Sequence, residues 1–257
     1  MSWWGKIVGG GFGFMMGGPL GAIMGAALGH HFDKGLDNLD DFGVGNQQRT
    51  QAAFFTATFS IMGYLAKVDG HVSKDEIKMA QRVMAQMNLS ADQKKAAIAL
   101  FNEGKQQGFP LDDVLQQFRV ECHRRTNLLR MFLEILISTA MADGSLHASE
   151  SQVISHIGQQ LGFNPAHIEQ LLGMVGAQQS FHAGQQSPNK LADAYHLLGV
   201  DENDSDADIK KAYRRLMSQH HPDKLVSKGL PEEMINLANE KTHEIKSAYD
   251  LIRNSRK

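Results

Sequence analysis

The chain has 257 residues, of which 26 are lysine or arginine and 28 are aspartate or glutamate, so its formal net charge is −2. From residue 190 onward the acidic residues also balance the basic ones, which argues against nucleic acid as a partner, because nucleic-acid binding usually needs a net basic domain. The length allows one large or two modest domains. The single cysteine, Cys122, excludes an internal disulfide framework and is interpreted as a small core side chain rather than a reactive thiol.

Residues 1–32 differ from the rest and predict a transmembrane anchor. Residues 7–29 carry no charged side chain and would form about 33 Å of helix, enough to cross a hydrocarbon core of about 30 Å. The apolar content is thin, so insertion is favourable by only about 2 to 4 kcal/mol. A cleaved signal peptide and a buried soluble helix are the alternatives, but the run exceeds the roughly 7–15 residues of a signal-peptide core.

Glycine recurs at every fourth position of this segment. Five of these residues lie well inside the predicted span: Gly9, Gly13, Gly17, Gly21 and Gly25. On a helix they form a bare stripe along which a second helix can approach closely. We therefore expect the anchor to self-associate as a homodimer. A merely flexible segment is the alternative, since glycine weakens helices in water.

A polar juxtamembrane segment, residues 33–50, follows the anchor. Lys6 flanks one side of the predicted span and Lys34 the other, so counting positive charges gives no clear orientation.

Residues 51–175 predict a helical bundle that contains an internal hairpin repeat. Residues 66–76 and 140–150 share one spacing: a helix that ends at Asp-Gly, a tight turn, and a new helix with an acidic residue in its first turn. Ser73 and Glu76 have the spacing of a capping box. The run 131–137, interrupted by Glu134, is too short to span a bilayer and predicts a central buried helix. The Asp-Gly-x-apolar-x-x-x-Glu pattern is similar to that of TerB-like tellurite-resistance domains.

The repeat also carries four candidate metal ligands. These are Asp69, Glu76, Asp143 and Glu150. Paired carboxylates could coordinate a hard cation, but we favour the interpretation that they cap helices and fix turns. No metal and no cofactor is therefore expected. Residues 176–189 are rich in glutamine, glycine and serine and predict a flexible linker, which would leave the C-terminal residues, 190–257, free to move.

The C-terminal residues predict a short helix, a basic helix and a long helix. The short helix ends at Gly199, and Pro231 opens the long one. In the basic helix the apolar side chains lie on one arc and the positive ones on the other: Ile209, Ala212, Tyr213, Leu216 and Met217 against Lys210, Lys211, Arg214 and Arg215. Pro222 then ends the helix and leaves His221 and Asp223 in an exposed turn.

This order of elements strongly resembles a J-domain, the module with which DnaJ-type co-chaperones drive DnaK-type ATPases. Two motifs make the resemblance specific: Tyr195-x-Leu197-Leu198-Gly199-Val200 and Ala212-Tyr213-Arg214-x-Leu216. It implies short helices around an antiparallel helix pair. It also implies that His221, Pro222 and Asp223 trigger ATP hydrolysis in the partner while the basic helix docks, through Lys210, Lys211, Tyr213, Arg214, Arg215 and Lys224. Without the flanking motifs, the basic residues would be interpreted as a solvated helix face.

Taken together, the anchor, the TerB-like domain, the linker and the J-domain resemble the DjlA family of membrane-anchored DnaJ-like co-chaperones of Gram-negative bacteria. The resemblance implies a single-pass protein of the inner membrane whose bulk is cytoplasmic and which recruits a DnaK-type chaperone to clients there. It does not imply an enzyme. An acid–base enzyme using His221 and Asp223 lacks a nucleophile or pocket signal. A membrane scaffold or stress-response adaptor, acting through the central domain and self-association, remains the alternative function.

Overall fold

The structure is a computed structural model that describes residues 46–68, 74–87, 89–141, 145–183, 190–231 and 234–257. The predicted anchor, its glycine stripe and residues 33–45 of the juxtamembrane segment lie outside the described residues. Within the described ranges all regular secondary structure is helical, which confirms the predicted all-α class.

The helices before residue 184 form the central domain. In chain order they are α1 (Asn46–Leu65), α2 (Lys74–Gln86), α3 (Ala91–Gly104), α4 (Leu111–Glu121), α5 (Thr126–Ala140), α6 (Ala148–Gln160) and α7 (Pro165–Ala183). The predicted central buried helix is α5, in which twelve of fifteen residues are buried. Phe132 on α5, Phe54 on α1 and Phe118 on α4 meet edge-on or tilted at 4.5–6.1 Å between ring centroids. This aromatic cluster ties three helices into one core.

Two glycines allow α1 and α3 to cross with their backbones in contact. A methyl group on Gly63 would lie 2.0 Å from the carbonyl oxygen of Phe101, and one on Gly104 would lie 1.8 Å from that of Ser60. No side chain fits at either position, because real atoms do not approach that closely. The crossing of α1 and α3 therefore depends on glycine from both helices.

The C-terminal domain is built from four described helices: α8 (Lys190–Leu198), α9 (Asp206–His220), α10 (Pro222–Val226) and α11 (Ile235–Ser255). Its own core includes Tyr195 from α8, Leu216 from α9 and Ile252 from α11. Arg256 joins the two ends of this domain, since its guanidinium donates to the hydroxyl of Tyr195 and to the carboxylate of Asp206, each at 2.8 Å.

Two helices extend beyond the boundaries that the sequence suggested. α1 begins at Asn46, inside the predicted juxtamembrane segment, and Thr50 is fully buried, with its hydroxyl donating to the carbonyl of Glu121 at 3.1 Å. α7 continues to Ala183, through the first part of the predicted linker, because Gln179 donates to the carbonyl of Ser138 at 3.2 Å and Phe181 packs on the C-terminal core. Residues 184–189 of the linker lie outside the described residues.

Candidate functional site

The turn that follows α9 presents two polar side chains to solvent. His221 has φ −60° and ψ 122°, the extended conformation favoured before proline. Pro222 is the first residue of α10, where a missing N–H costs no hydrogen bond. His221 and Asp223 are exposed, and Pro222 is half-buried. We call these three residues the His-Pro-Asp turn; a partner can reach it without any rearrangement of the described chain.

α9 divides into an apolar face and a cationic face. Ile209, Ala212 and Leu216 are buried in the domain. The cationic face consists of Lys210, Lys211, Arg214 and Arg215, which are all exposed. Four positive charges on one side of a helix attract an acidic surface, and they lie on the same helix that leads into the His-Pro-Asp turn.

Two further residues of the predicted binding set also support the local structure. Tyr213 is half-buried and stacks on Tyr249 of α11, with ring centroids 4.2 Å apart and planes at 14°. Lys224 is exposed, and its ammonium donates to the hydroxyl of Ser218 at 2.7 Å. The stacked rings hold α9 against α11, and the lysine bridges the His-Pro-Asp turn from α10 back to α9.

A buried charged cluster lies beneath the turn, where the two domains meet. It consists of Arg130 and Glu134 of α5, His220 of α9 and Lys241 of α11. The carboxylate of Glu134 lies 2.9 Å from Nε of Arg130, 3.5 Å from Nε2 of His220 and 3.3 Å from Nζ of Lys241. Glu134 and His220 are only 5% and 2% exposed. One central-domain carboxylate therefore contacts two helices of the C-terminal domain.

Burial and charge act in opposite directions on this cluster. Burial alone would raise the pKa of Glu134, but the positive charges of Lys241 and Arg130, and of His220 when protonated, hold it well below its usual range. Burial lowers the pKa of His220 from 6.5 to about 4, with Glu134 opposing the shift and Lys241 and Arg130 adding to it. At neutral pH the cluster therefore contains one carboxylate, two cations and a neutral imidazole.

An apolar contact also joins the two domains. Leu225, Leu230, Met234 and Ala238, all from the C-terminal domain, belong to the same buried core as the central helices. Gly229 has φ +99°, and a methyl group there would lie 2.8 Å from Cγ2 of Thr50. Gln47 and Gln51 of α1 donate to the carbonyls of Val226 and Leu230 at 3.3 and 3.4 Å. The two domains are thus packed together, whereas the sequence predicted that the second would move freely.

The sequence interpretation did not assign a role to the charged cluster. Its local signals were a glutamate that interrupts an apolar run and a histidine adjacent to the turn. Neither signal identifies the partners of these residues, because Lys241 and His220 are distant from Glu134 in the chain.

Of the metal-ligand candidates, the structure describes the side chain of Glu150 alone. It is 4% exposed, and its carboxylate accepts a hydrogen bond from the backbone N–H of His147 at 2.9 Å, at the start of α6. This is the capping role that we favoured. Asp69, Asp143 and the side chain of Glu76 lie outside the described residues. Among the residues that are described, no three His, Cys, Asp or Glu side chains are grouped as metal ligands.

Two other features of the central domain are separate from the turn. Cys122 is fully buried, and burial raises the pKa of its thiol to about 12, so it is a core side chain as predicted. A cleft of about 470 Å³ lies between α4 and α6, where His156 contacts the carboxylate of Asp112 at 2.6 Å. None of the predicted chaperone-binding residues lines this cleft.

Three protein families match successive parts of the chain. They are the Co-chaperone DjlA transmembrane domain over residues 1–39, Tellurite resistance protein TerB over residues 55–172 and the DnaJ domain over residues 193–257. A relative named Co-chaperone protein DjlA, from Photobacterium profundum, is 44% identical across 97% of this chain and 98% of its own length. The chain belongs to the DjlA co-chaperone family.

Other DjlA relatives match to a similar extent. The Vibrio cholerae protein is 45% identical over 98% of both chains, and the Shewanella oneidensis protein is 43% identical over 100% of this chain and 99% of its own. No solved structure matches the chain. The matches to this chain identify the C-terminal domain as a J-domain and the central domain as TerB-like, which confirms the family predicted from the motifs.

Membrane anchoring is supported by the match to the DjlA transmembrane domain at residues 1–39. The helices that the structure describes begin at Asn46. None of these helices combines the length and the apolar character needed to cross a bilayer.

Proposed function

We propose that this protein is a membrane-anchored co-chaperone whose J-domain binds a DnaK-type chaperone and stimulates its ATP hydrolysis. One observation carries the proposal: an exposed His-Pro-Asp turn lies at the end of an exposed cationic face. The cationic face steers and docks on an acidic surface of the chaperone, and the turn then acts on its ATPase. Because exposed charges are screened by salt, the docking step weakens as ionic strength rises.

Replacing His221 by glutamine should reduce stimulation of the chaperone ATPase to the basal rate. The substitution removes the imidazole at an exposed position, so the fold and the cationic face remain intact. The measurement is the steady-state ATPase rate of a DnaK-type chaperone with the full chain in lipid nanodiscs. A shortened chain would have to begin before Asn46, because a start at residue 51 would cut α1.

The matched control is His243→Gln, which changes an exposed histidine of the same domain outside the turn and the cationic face. It should stimulate as the unmodified chain does. Stimulation by the His221→Gln variant would contradict the proposed role of the turn. If no variant, including the unmodified chain, stimulates the chaperone, the scaffold or adaptor function is favoured instead.

We also propose that the J-domain faces the cytoplasm, where ATP and a DnaK-type partner are available, and that the anchor crosses the inner membrane once. In this arrangement the TerB-like domain selects the clients to which the chaperone is recruited. Protease added to intact spheroplasts should leave the J-domain uncut, whereas protease added after lysis should release it. Cleavage in intact spheroplasts would contradict this orientation.

Self-association through the glycine stripe is the remaining part of the proposal. Replacing Gly13, Gly17 and Gly21 together by leucine should abolish association of the anchor in a membrane two-hybrid assay, because bulky side chains prevent the close approach of two helices. The control is leucine at Gly10, Gly11 and Gly18, which are off the four-residue stripe. Unchanged association of the first variant would contradict the stripe as the contact surface.

A further inference from the structure

The contact between the TerB-like domain and the J-domain has two parts, an apolar layer and a buried ionic layer. The apolar layer includes Leu225 and Leu230, which follow the His-Pro-Asp turn in the chain. The ionic layer is the charged cluster around Glu134, and Gln219 of α9 adds to it by accepting a hydrogen bond from Arg130 at 2.9 Å. The segments on both sides of the turn are therefore held by the TerB-like domain.

Glu134 is the residue on which the ionic layer depends. It provides the only carboxylate of the cluster and lies within 3.5 Å of cationic or imidazole nitrogens on α5, α9 and α11. Without its charge, the buried Arg130 and the half-buried Lys241 would be two neighbouring cations with no carboxylate between them. Breaking one partner of a buried ion pair is strongly destabilising, since the remaining charge has lost both water and its counter-ion. The domain contact would then open.

The packed arrangement leaves the predicted chaperone-binding surface accessible. The four residues of the cationic face are exposed, as are His221, Asp223 and Lys224. A chaperone can therefore bind while the two domains remain in contact. The contact does not cover the binding surface, but it does fix the direction in which that surface points.

We infer that Glu134 is a positioning residue, which sets the His-Pro-Asp turn in a fixed orientation on the TerB-like domain by pairing with Lys241 of α11 and by holding Arg130, which donates to Gln219 of α9. This inference rests on the proposed function, and it gives the TerB-like domain a part in chaperone binding. Pre-organisation lowers the entropy lost on binding. A turn with a fixed orientation should therefore lower the chaperone concentration that gives half-saturation. The maximal ATPase rate should depend only on the residues of the turn.

The test measures the domain contact and the chaperone response in the same full-length protein. Spin labels are attached at Ile98→Cys in the TerB-like domain and Asn254→Cys in the J-domain, both at exposed positions. Cys122 is buried with a raised thiol pKa, so it stays unlabelled. The labelled chain is diluted into an excess of unlabelled chain, so that a homodimer holds one labelled copy. Pulsed electron paramagnetic resonance should then give one narrow distance in nanodiscs. Glu134→Gln should broaden it, and so should Lys241→Met, which changes the J-domain side and leaves α5 intact.

The control is Asp206→Asn, which removes an ion pair with Arg256 inside the J-domain and should leave the distance narrow. In the ATPase assay, Glu134→Gln and Lys241→Met should raise the half-saturating chaperone concentration several-fold with an unchanged maximal rate. A narrow distance in both variants, a broad one in the unmodified chain, or an open contact with unchanged half-saturation would each overturn the inference. Absence of ATPase stimulation in every protein would count against the proposed function, while the distances would still decide whether Glu134 holds the domains together.

Discussion

Replacing Gly63 by alanine should lower the free energy of unfolding of the TerB-like domain by about 3 kcal/mol, the upper part of the usual range for overpacking. The added methyl carbon would lie 2.0 Å from the carbonyl oxygen of Phe101 and 3.0 Å from its Cα. These are backbone atoms inside α3, so no side-chain rotation relieves the overlap. α1 and α3 must instead move apart, and the core residues of both helices lose contact.

The measurement is the midpoint of thermal unfolding, followed by the helical circular dichroism signal. Gly173→Ala is the matched control, because Gly173 lies inside α7 and has no neighbouring atom within 4 Å of the added methyl position. There alanine should stabilise the helix by about 0.5 to 1 kcal/mol, through its higher helix propensity. An equal midpoint for Gly63→Ala and the unmodified protein would show that the α1–α3 crossing adapts, contrary to the geometry.

Local patterns in the sequence predicted the helices of the J-domain, whose family was assigned by its resemblance to known motifs. The apolar and basic residues of α9 alternate at helical spacing, Pro222 ends the helix, and Gly199 ends α8 at φ +64°. Each of these signals depends on residues within a few positions of one another, so it can be read without knowing the tertiary structure. The buried helix α5 was predicted for the same reason, from an apolar run that only Glu134 interrupts.

The contact between the domains depends on residues that are far apart in the sequence. In the sequence, Glu134 is only an interruption of an apolar run, and no neighbouring residue indicates what its side chain contacts. In the structure Glu134 is paired with Lys241. The sequence predicted the long last helix that carries Lys241, but not which way this side chain points. The early start of α1 has the same origin, because Gln47 is held by the carbonyl of Val226. Composition predicted a mobile linker, but composition carries no information about such pairings.

Acidification should open the domain contact over the range in which His220 gains a proton. Burial lowers the pKa of His220 to about 4 in the packed arrangement, whereas an exposed imidazole titrates near 6.5. Above pH 6.5 the imidazole is neutral in both arrangements, and the contact has its full stability. Below it, only the open arrangement binds the proton, so the contact loses about 1.4 kcal/mol per pH unit. From pH 6.5 to pH 5 the loss is about 2 kcal/mol.

The charges around His220 explain why Glu134 does not prevent this loss. The charges of Arg130 from α5 and Lys241 from α11 together already exceed the charge of Glu134, so a protonated His220 would add a third cation around one carboxylate. His167 of α7 is affected in the same direction, since burial and then the charge of Arg130 lower its pKa. Protonation of His220 therefore favours the open arrangement.

The two spin labels at residues 98 and 254 provide the measurement, recorded between pH 7.5 and pH 5. In the otherwise unmodified protein the narrow distance should give way to a broad distribution as pH falls below about 6.5. In His220→Gln the amide has no charge to gain, so the contact should stay closed at pH 5. Identical pH profiles for the two proteins would exclude His220 as the group whose protonation separates the domains.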